Sequence, residues 1–299
     1  MKASIIILNW NGGAENCLEA ANSAAAQDYP NKEIIFVDNA SSDGSDIAVH
    51  DAHPDFIFIQ TGDNYGCPGG RNFGARAATG DILFFLENDG AWASTDVVSE
   101  AVKLFQRHPR LGALYTAVEG YHTGKTDAPI DRGVDVTIRN GLYLSSTFRG
   151  GASAIRRDLF LRLGLFPDDF IRQYEENYVA LLIYDAGYSI AYWPERVLRH
   201  KGSDYPGKSG TVLKFNVVNE LKMIARIYPP KFWVPFLLLR LIIALYRVCR
   251  SQFYSMLPDI LKTLHHEKLS RSGCTRVKMK TLIKTMRLRR TSNSPFYNE

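Results

Sequence analysis

The chain has 299 residues, 45% hydrophobic, 22% charged and 12% aromatic, the make-up of a globular protein that buries a core without metals or staples, so fibrous and disordered classes drop out. Its net charge of +5 is uneven: residues 262–299 hold ten Lys and Arg against Glu267 and Glu299, which leaves the first 261 residues at −3. A nearly neutral body with a basic tail implies that the tail either meets an anionic surface or is solvated.

Four strands are predicted at the start of the chain. Ala3 to Leu8, Glu33 to Val37, Phe56 to Ile59 and Ile82 to Leu86 are short apolar runs bounded by Asn, Asp, Gly or Pro. Between them, Ala14 to Ala26, Ser45 to His50 and Arg71 to Ala78 suit crossover helices. The alternation implies an α/β fold: a doubly wound, mostly parallel sheet with helices on both faces. From Thr116 to Ser145 the pattern weakens, and Asn140-Gly141 between Val134 to Ile138 and Leu142 to Leu144 suggests a small β insertion. A strand near Arg149 to Ile155, a short helix over Arg156 to Leu163 and an acidic helix from Gln173 to Gly187 follow.

Lys201 to Gly210, rich in Gly, Ser and Lys, reads as a mobile loop. Beyond it the chain is helical, giving a body over 1–210, a helical extension over 211–261 and a basic tail over 262–299. Phe232 to Val248 is strongly apolar but holds Pro235, Arg240 and Arg247, so it is short and charged for a spanning helix. It suits a helix lying at a headgroup surface; packing on the body or on a second copy, as in a homodimer, is the alternative. Cys17, Cys67, Cys249 and Cys274 form no metal-type cluster and imply a reducing compartment, and Asn9 and Asn11 end the first apolar run too early for a signal peptide. A cytoplasmic protein at the inner face of the membrane is expected, without a nucleic-acid partner.

Ligands of such sheets bind beyond the carboxyl ends of the strands. There the chain places Asn9 to Gly13, Asp38 to Gly44, Gly62 to Gly66 and Glu87-Asn88-Asp89. Asp38 is positioned to accept hydrogen bonds from a base or ribose, and Asp89 to hold a divalent cation, Mg or Mn, that bridges phosphates. No GxxxxGK[ST] loop is present and no GxGxxG follows the first strand, which disfavours NTPases and dinucleotide enzymes. Diphosphate charge then needs a metal and side chains, for which Asp89, His200, Lys201 and Arg71 are candidates.

Five blocks, SIIILNWN from Ser4, VDNASSDG from Val37, NYGCPGGRNFGARAATG from Asn64, ILFFLEND from Ile82 and Tyr174 to Gly187, together resemble family 2 glycosyltransferases in order and spacing. The resemblance covers roughly Ala3 to Ser203. It implies a GT-A fold, a nucleotide-diphosphate sugar donor, UDP- or dTDP-linked, a divalent cation and inversion at the anomeric carbon. The acceptor it implies is a saccharide, lipid-linked in surface-polysaccharide assembly. Asp38 matches the nucleotide-contacting Asp, with Asn9, Asn11, Asn39 and Asn88 in the same pocket. Asp63, Asn64, Gly69, Gly70, Arg71 and Asn72 match the donor loop. Asp89 matches the metal-binding Asp, and His200 resembles the His near metal or phosphate. Glu176 matches the catalytic carboxylate, and its neighbour Glu175 is a like charge that tends to raise its pKa.

Departures accompany the matches. Glu87 replaces the first Asp of the metal pair, a longer side chain expected to withdraw from the cation. Tyr178 and Leu182 replace an acid and a base of the Glu-Asp-x-Asp-Leu-x-x-Arg pattern, which puts acceptor specificity and, more faintly, activity in doubt. A non-catalytic relative that only binds sugars is the alternative. A nucleotidyltransferase is disfavoured because Asn9 to Gly13 has the glycines of a triphosphate loop but no Lys or Arg.

Overall fold

The computed structural model describes residues 1–127, 130–131, 141–204, 210–251, 254–269 and 276–291. Strands β1 (Ala3–Asn9), β2 (Lys32–Asp38), β3 (Ile57–Gln60) and β4 (Ile82–Glu87) alternate with helices α1 (Ala14–Ala25), α2 (Ser45–Ala52) and α3 (Gly66–Ala77). The predicted parallel half is present, with β3-β2-β1-β4 paired in parallel. β5 (Gly90–Trp92), α4 (Val97–Arg107), β6 (Leu111–Gly120), β7 (Tyr143–Leu144), β8 (Ala152–Arg156), α5 (Arg157–Arg162), α6 (Glu175–Asp185) and β9 (Ser189–His200) complete the body. β8 enters antiparallel between β4 and β6, and β9 runs parallel to β6. The sheet is therefore mixed in its second half.

β1 is buried along its whole length, and its side chains divide by the two-residue period of a strand. Ile5 and Ile7 join the core under α1, α2 and α4, whereas Ile6 and Leu8 join the core with Ala75 of α3 and Val179 of α6. That is the three-layer arrangement expected of crossover connections. Trp92 and Trp193 lie in the first of these cores.

The β insertion forms differently from its expected hairpin. β7 pairs with β9 rather than with a preceding strand, and Val134 to Ile138 lies outside the described residues. Lys201–Asp204, expected as loop, is a 3-10 helix that directly continues β9.

The C-terminal helices α7 (Gly210–Ile227), α8 (Pro230–Ser251), α9 (Leu257–Leu269) and α10 (Met279–Thr291) form one appendage that docks on α6. Leu181 and Leu182 of α6 pack with Met223, Ile224 and Ile227 of α7 and Leu282 of α10. The basic tail is thus partly structural: the Lys278 amide and the Thr281 hydroxyl each donate to Asp185 Oδ1 at 2.7 Å. One described helix is long and apolar enough to cross a membrane, Lys231–Arg250, with a mean hydropathy of 1.9 and only 11% of its apolar window buried.

Candidate active site

The strand ends meet where the topology requires. Asn9 and Asp38 are register partners at the ends of β1 and β2, and Leu8 pairs with Glu87 at the end of β4. Asn9 is fully buried and ties the edge together: its amide donates to Asp38 Oδ1 at 3.0 Å and Ser45 Oγ at 2.8 Å, and its oxygen accepts from Asn88 Nδ2 at 2.7 Å. Asp38 Oδ2 also accepts from the Ser41 amide at 3.0 Å. Asn11, in a left-handed conformation, accepts from the Ser42 amide at 2.8 Å. Asn9 and Asn88 therefore brace the loops at the strand ends from within.

A second network orders the loop after β3. Asn39 donates to Asn64 Oδ1 at 3.0 Å and to the Gly66 carbonyl at 3.2 Å, and accepts from the Tyr65 amide at 3.1 Å. Asp63 is exposed, while Gly69 and Gly70 are buried inside α3 against Tyr65 and Leu8. Asn72 faces another way: its amide donates to the Phe166 carbonyl at 2.8 Å and to Asp168 Oδ1 at 2.5 Å, which holds the segment after α5. Lys201 is engaged by Glu19 at 3.0 Å and Asn16 at 2.7 Å.

The remaining candidates converge. The β5–β9 ladder pairs Gly90 with His200 and brings the imidazole to the Glu87-Asn88-Asp89 turn. His200 Nε2 lies 2.9 Å from Glu87 Oε2 and 3.0 Å from Asp89 Oδ1, and the three residues offer ligand atoms all within 4.8 Å of one another. Glu87 is therefore part of the candidate metal cluster, contrary to the expected withdrawal, because its extra methylene lets one carboxylate reach both His200 and Arg71. Burial alone would lower the His200 pKa, but hydrogen bonds to Asp89 and Glu87 raise it to about 10. Two carboxylates around an imidazolium are a set of hard ligands around a cation, and they fit Mg or Mn once the imidazole gives up its proton.

Arg71 is where the structure differs most from its expected diphosphate contact. Its side chain is buried, with Nη2 2.7 Å from Glu87 Oε1 and Nη1 3.5 Å from Glu175 Oε1. Burial opposes ionisation of Glu87, but the His200 hydrogen bond and the Arg71 charge hold its pKa down at about 2. Glu175 is pushed the other way, to about 8, by burial and then by the Glu176 charge. Its Oε2 is buried without a hydrogen-bond partner, as suits a carboxyl that is hard to ionise.

Glu176 is raised as well, chiefly by burial. Its Oε1 accepts from the Gly150 amide at 3.2 Å and lines a cavity of about 600 Å³ together with Glu87 and His200. In the sequence, Gly150-Gly151 reads only as part of a strand. A Cβ at Gly150 would lie 2.6 Å from Glu176 Oε1, and one at Gly151 2.5 Å from Glu87 Oε1, so both carboxylates approach bare backbone. The Gly-Gly doublet was the available signal. Arg289 of α10 also lines the cavity and donates to Asn177; nothing in the tail's charge pattern distinguished it.

The acidic helix is entered through a left-handed backbone at Ile171, Gln173 and Tyr174, none of them glycine. Such conformations cost about 1–3 kcal/mol each and persist only where the surroundings enforce them. Tyr178 and Leu182 have a simple place: Tyr178 meets Phe170 edge to face, with ring centroids 5.7 Å apart, and Leu182 is buried under α7 and α10. They form the face that receives the C-terminal helices.

The chain is similar to known glycosyltransferases in sequence and in fold. The sequence profile described as Glycosyl transferase family 2 matches residues 4–164. The chain is 25% identical over 276 residues to the O-antigen chain rhamnosyltransferase RfbN of Salmonella typhimurium, covering 79% of this chain and 84% of that protein. Its fold is similar to a mannosyltransferase, PcManGT from Pyrobaculum calidifontis in complex with GDP-Man and Mn2+, at TM-score 0.56 and 22% identity over 95% of this chain and 83% of that one. It is also similar to S. aureus TarS 1-349 in complex with UDP-GlcNAc, at TM-score 0.59 and 18% identity over 89% and 80% of the two chains. In another crystal structure of that fragment the match spans 65% of its length.

Proposed function

The chain belongs to Glycosyl transferase family 2 and is a glycosyltransferase, and from this premise we propose that it moves a sugar from a nucleotide-diphosphate donor to a lipid-linked saccharide in cell-surface polysaccharide assembly, with inversion at the anomeric carbon. One observation carries the reading: Glu176 lines the same cavity as Glu87 and His200, so a proton acceptor and a cation site face one volume. The name of the RfbN relative supports a polysaccharide product and makes rhamnose a candidate sugar. The ligands of the PcManGT and TarS structures support a nucleotide sugar and a divalent cation.

In this reading Asp89, Glu87 and His200 would hold Mg or Mn, which would supply positive charge for a departing diphosphate. Asp38, braced by Asn9, faces the nucleotide. The acceptor hydroxyl lies in the cavity, and Glu176 takes its proton as the oxygen attacks the sugar. Glu175 is only 2% exposed, so one carboxylate of the pair meets the reactants, which suits a single displacement. Since burial keeps Glu175 protonated at neutral pH, the carboxyl next to Glu176 in the helix adds no negative charge, and Arg71 offsets the opposing charge of Glu87.

The exposed apolar face of α8 supports contact with a lipid surface at the cytoplasmic side, which would place the cavity near a lipid-borne acceptor. The test is a thermal-shift panel of UDP-, dTDP- and GDP-linked sugars with and without Mn, because ligands of the native state raise apparent stability. With the donor that stabilises, Glu176→Gln is expected to lower transfer by about 100- to 10,000-fold while donor binding is kept. Transfer by Glu176→Gln at the wild-type rate would refute the assignment.

A further inference from the structure

The segment that delivers Glu175 and Glu176 is gripped by one face of α7. Asn219 is buried in the middle of that helix, and its Nδ2 lies 2.8 Å from the Phe170 carbonyl, 2.8 Å from that of Arg172 and 2.9 Å from that of Gln173. An amide nitrogen has two hydrogens, so three carbonyl acceptors saturate it. Three residues on, Lys222 donates to the Asp169 carbonyl at 2.9 Å. Four further on, Arg226 takes both Asp169 carboxylate oxygens at 2.8 Å. That spacing places Asn219, Lys222 and Arg226 on one stripe of the helix.

The gripped segment is the one whose backbone is least able to hold itself. Ile171, Gln173 and Tyr174 have φ of 58°, 72° and 70°, values that side chains with a Cβ disfavour. On its other side the Ile171 carbonyl accepts from the Cys67 amide at 2.7 Å, at the start of α3. The turn at Gln173 and Tyr174 sets the direction in which α6 begins, and Glu176 follows two residues later. Rotation at those residues would swing Glu176 away from the Gly150 amide and out of the cavity wall.

Resting on the functional reading above, we infer that Asn219 is a positioning residue through which the C-terminal helices hold the proposed catalytic carboxylate in register with the cation site. It touches no reactant. Its effect runs through three carbonyls and a left-handed turn, so removing it should impair turnover far more than donor binding. Glycine adopts left-handed φ without penalty, so Gln173→Gly should partly replace what Asn219 enforces.

The experiment uses the full chain and the nucleotide sugar selected by the thermal-shift panel. In Asn219→Ser, kcat should fall by about 100-fold, the cost of a small misplacement at a reacting centre, with donor KM within about threefold of wild type. Adding Gln173→Gly should recover about tenfold of that loss. Hydrogen–deuterium exchange, which needs no activity, should quicken in the peptide spanning 170–177 and not in the sheet. Unchanged kcat, an equal loss of donor affinity, a double variant no better than Asn219→Ser, or unchanged exchange overturns the inference. Asn219→Asp, of equal volume without the donors, reads the same way if the serine variant does not fold; if neither folds, the role is purely structural and the inference falls. Glu176→Gln in parallel separates the two ideas. If it retains full activity the functional reading fails, whereas if it is inactive and Asn219→Ser is not, only the positioning role fails.

Discussion

The buried Arg71 pairs with the half-buried Glu87 at 2.7 Å, and the same guanidinium reaches the buried Glu175 at 3.5 Å. The arginine therefore joins the candidate cation site to the acidic helix and keeps one carboxylate charged beside another that is not. Removing one partner of a buried pair leaves an orphaned charge and costs about 3–5 kcal/mol. Arg71→Met should lose stability of that order in urea unfolding. The loss should be larger at pH 8 than at pH 5, because Glu175, with a pKa of about 8, begins to ionise there and then lacks the cation that favours its charge. A loss independent of pH would mean that packing, not charge, is the contribution of Arg71.

His200 makes metal affinity depend on pH. With its pKa raised to about 10 by Asp89 and Glu87, the imidazole is protonated at neutral pH and must release that proton to ligate a metal. Apparent Mn affinity should therefore rise with pH, by about tenfold per unit between pH 6 and 9, and fall as pH is lowered. Calorimetry in buffers of different ionisation enthalpy should register the released proton. Asp89→Ala should abolish the binding; pH-independent affinity would remove His200 from the ligand set.

Glu175 bears on the stability of the fold. Its folded pKa, about 8, lies above that of an unfolded Glu, so the folded state binds the extra proton. Its contribution is then fully favourable below the unfolded value, near 4.3, and is lost as pH rises to about 8, at a limiting slope of about 1.4 kcal/mol per pH unit. The proton belongs to the pair with Glu176, so the slope is shared. Glu175→Gln should flatten this decline, gaining on wild type as pH rises from 5 to 9 in denaturant titrations. Parallel curves would show that Glu175 is not protonated in the native state.

The sequence carried the parallel half and the strand-end acids because both follow from local rules. Buried parallel strands are continuous apolar runs, and acids at their carboxyl ends exceed what turns need. β6 stayed hidden, since Thr116, Glu119 and Gly120 interrupt its apolar run while its pairing with β8 and β9 is set by distant residues. Arg71 and Asn72 were placed by motif, and a motif does not say whether a side chain faces a ligand or a neighbouring element. Asn219 gave no signal, because one Asn in a helix of mixed periodicity becomes meaningful only when its three carbonyl partners are in place.

Tyr178 and Leu182 are the departures that bear on activity, and their packing against the cluster formed with the C-terminal helices, Leu182 buried and Tyr178 partly so, explains them differently. The family pattern has charges where this chain needs an apolar docking face. Leu182→Ala should cost about 2–4 kcal/mol, as for other buried leucines. Leu182→Arg, which restores the charge, should undock α7 and α10 and expose them to limited proteolysis. If Leu182→Arg is as stable as wild type, the docking account of this position fails.

The last prediction concerns α8. Leu237, Leu241, Ala244 and Val248 pack against α7, whereas Leu238, Leu239, Ile242 and Tyr246 are 55%, 52%, 65% and 62% exposed. A helix of 22 residues is about 33 Å long, enough to span a bilayer, yet one face is committed to protein and Arg240 is paired with Glu220 at 3.0 Å. That division suits a helix lying in the interface with its outer face among acyl chains. Lys231 and Arg250 at its ends add attraction to anionic headgroups, worth about 1 kcal/mol per favourably placed charge and screened by salt. Leu238→Glu with Ile242→Glu should therefore abolish sedimentation with phosphatidylglycerol vesicles while leaving the melting temperature and transfer to a soluble acceptor unchanged. Should the same pair of substitutions leave vesicle binding intact and convert a dimer to a monomer in lipid-free buffer, the outer face of α8 is a contact between two copies of the chain.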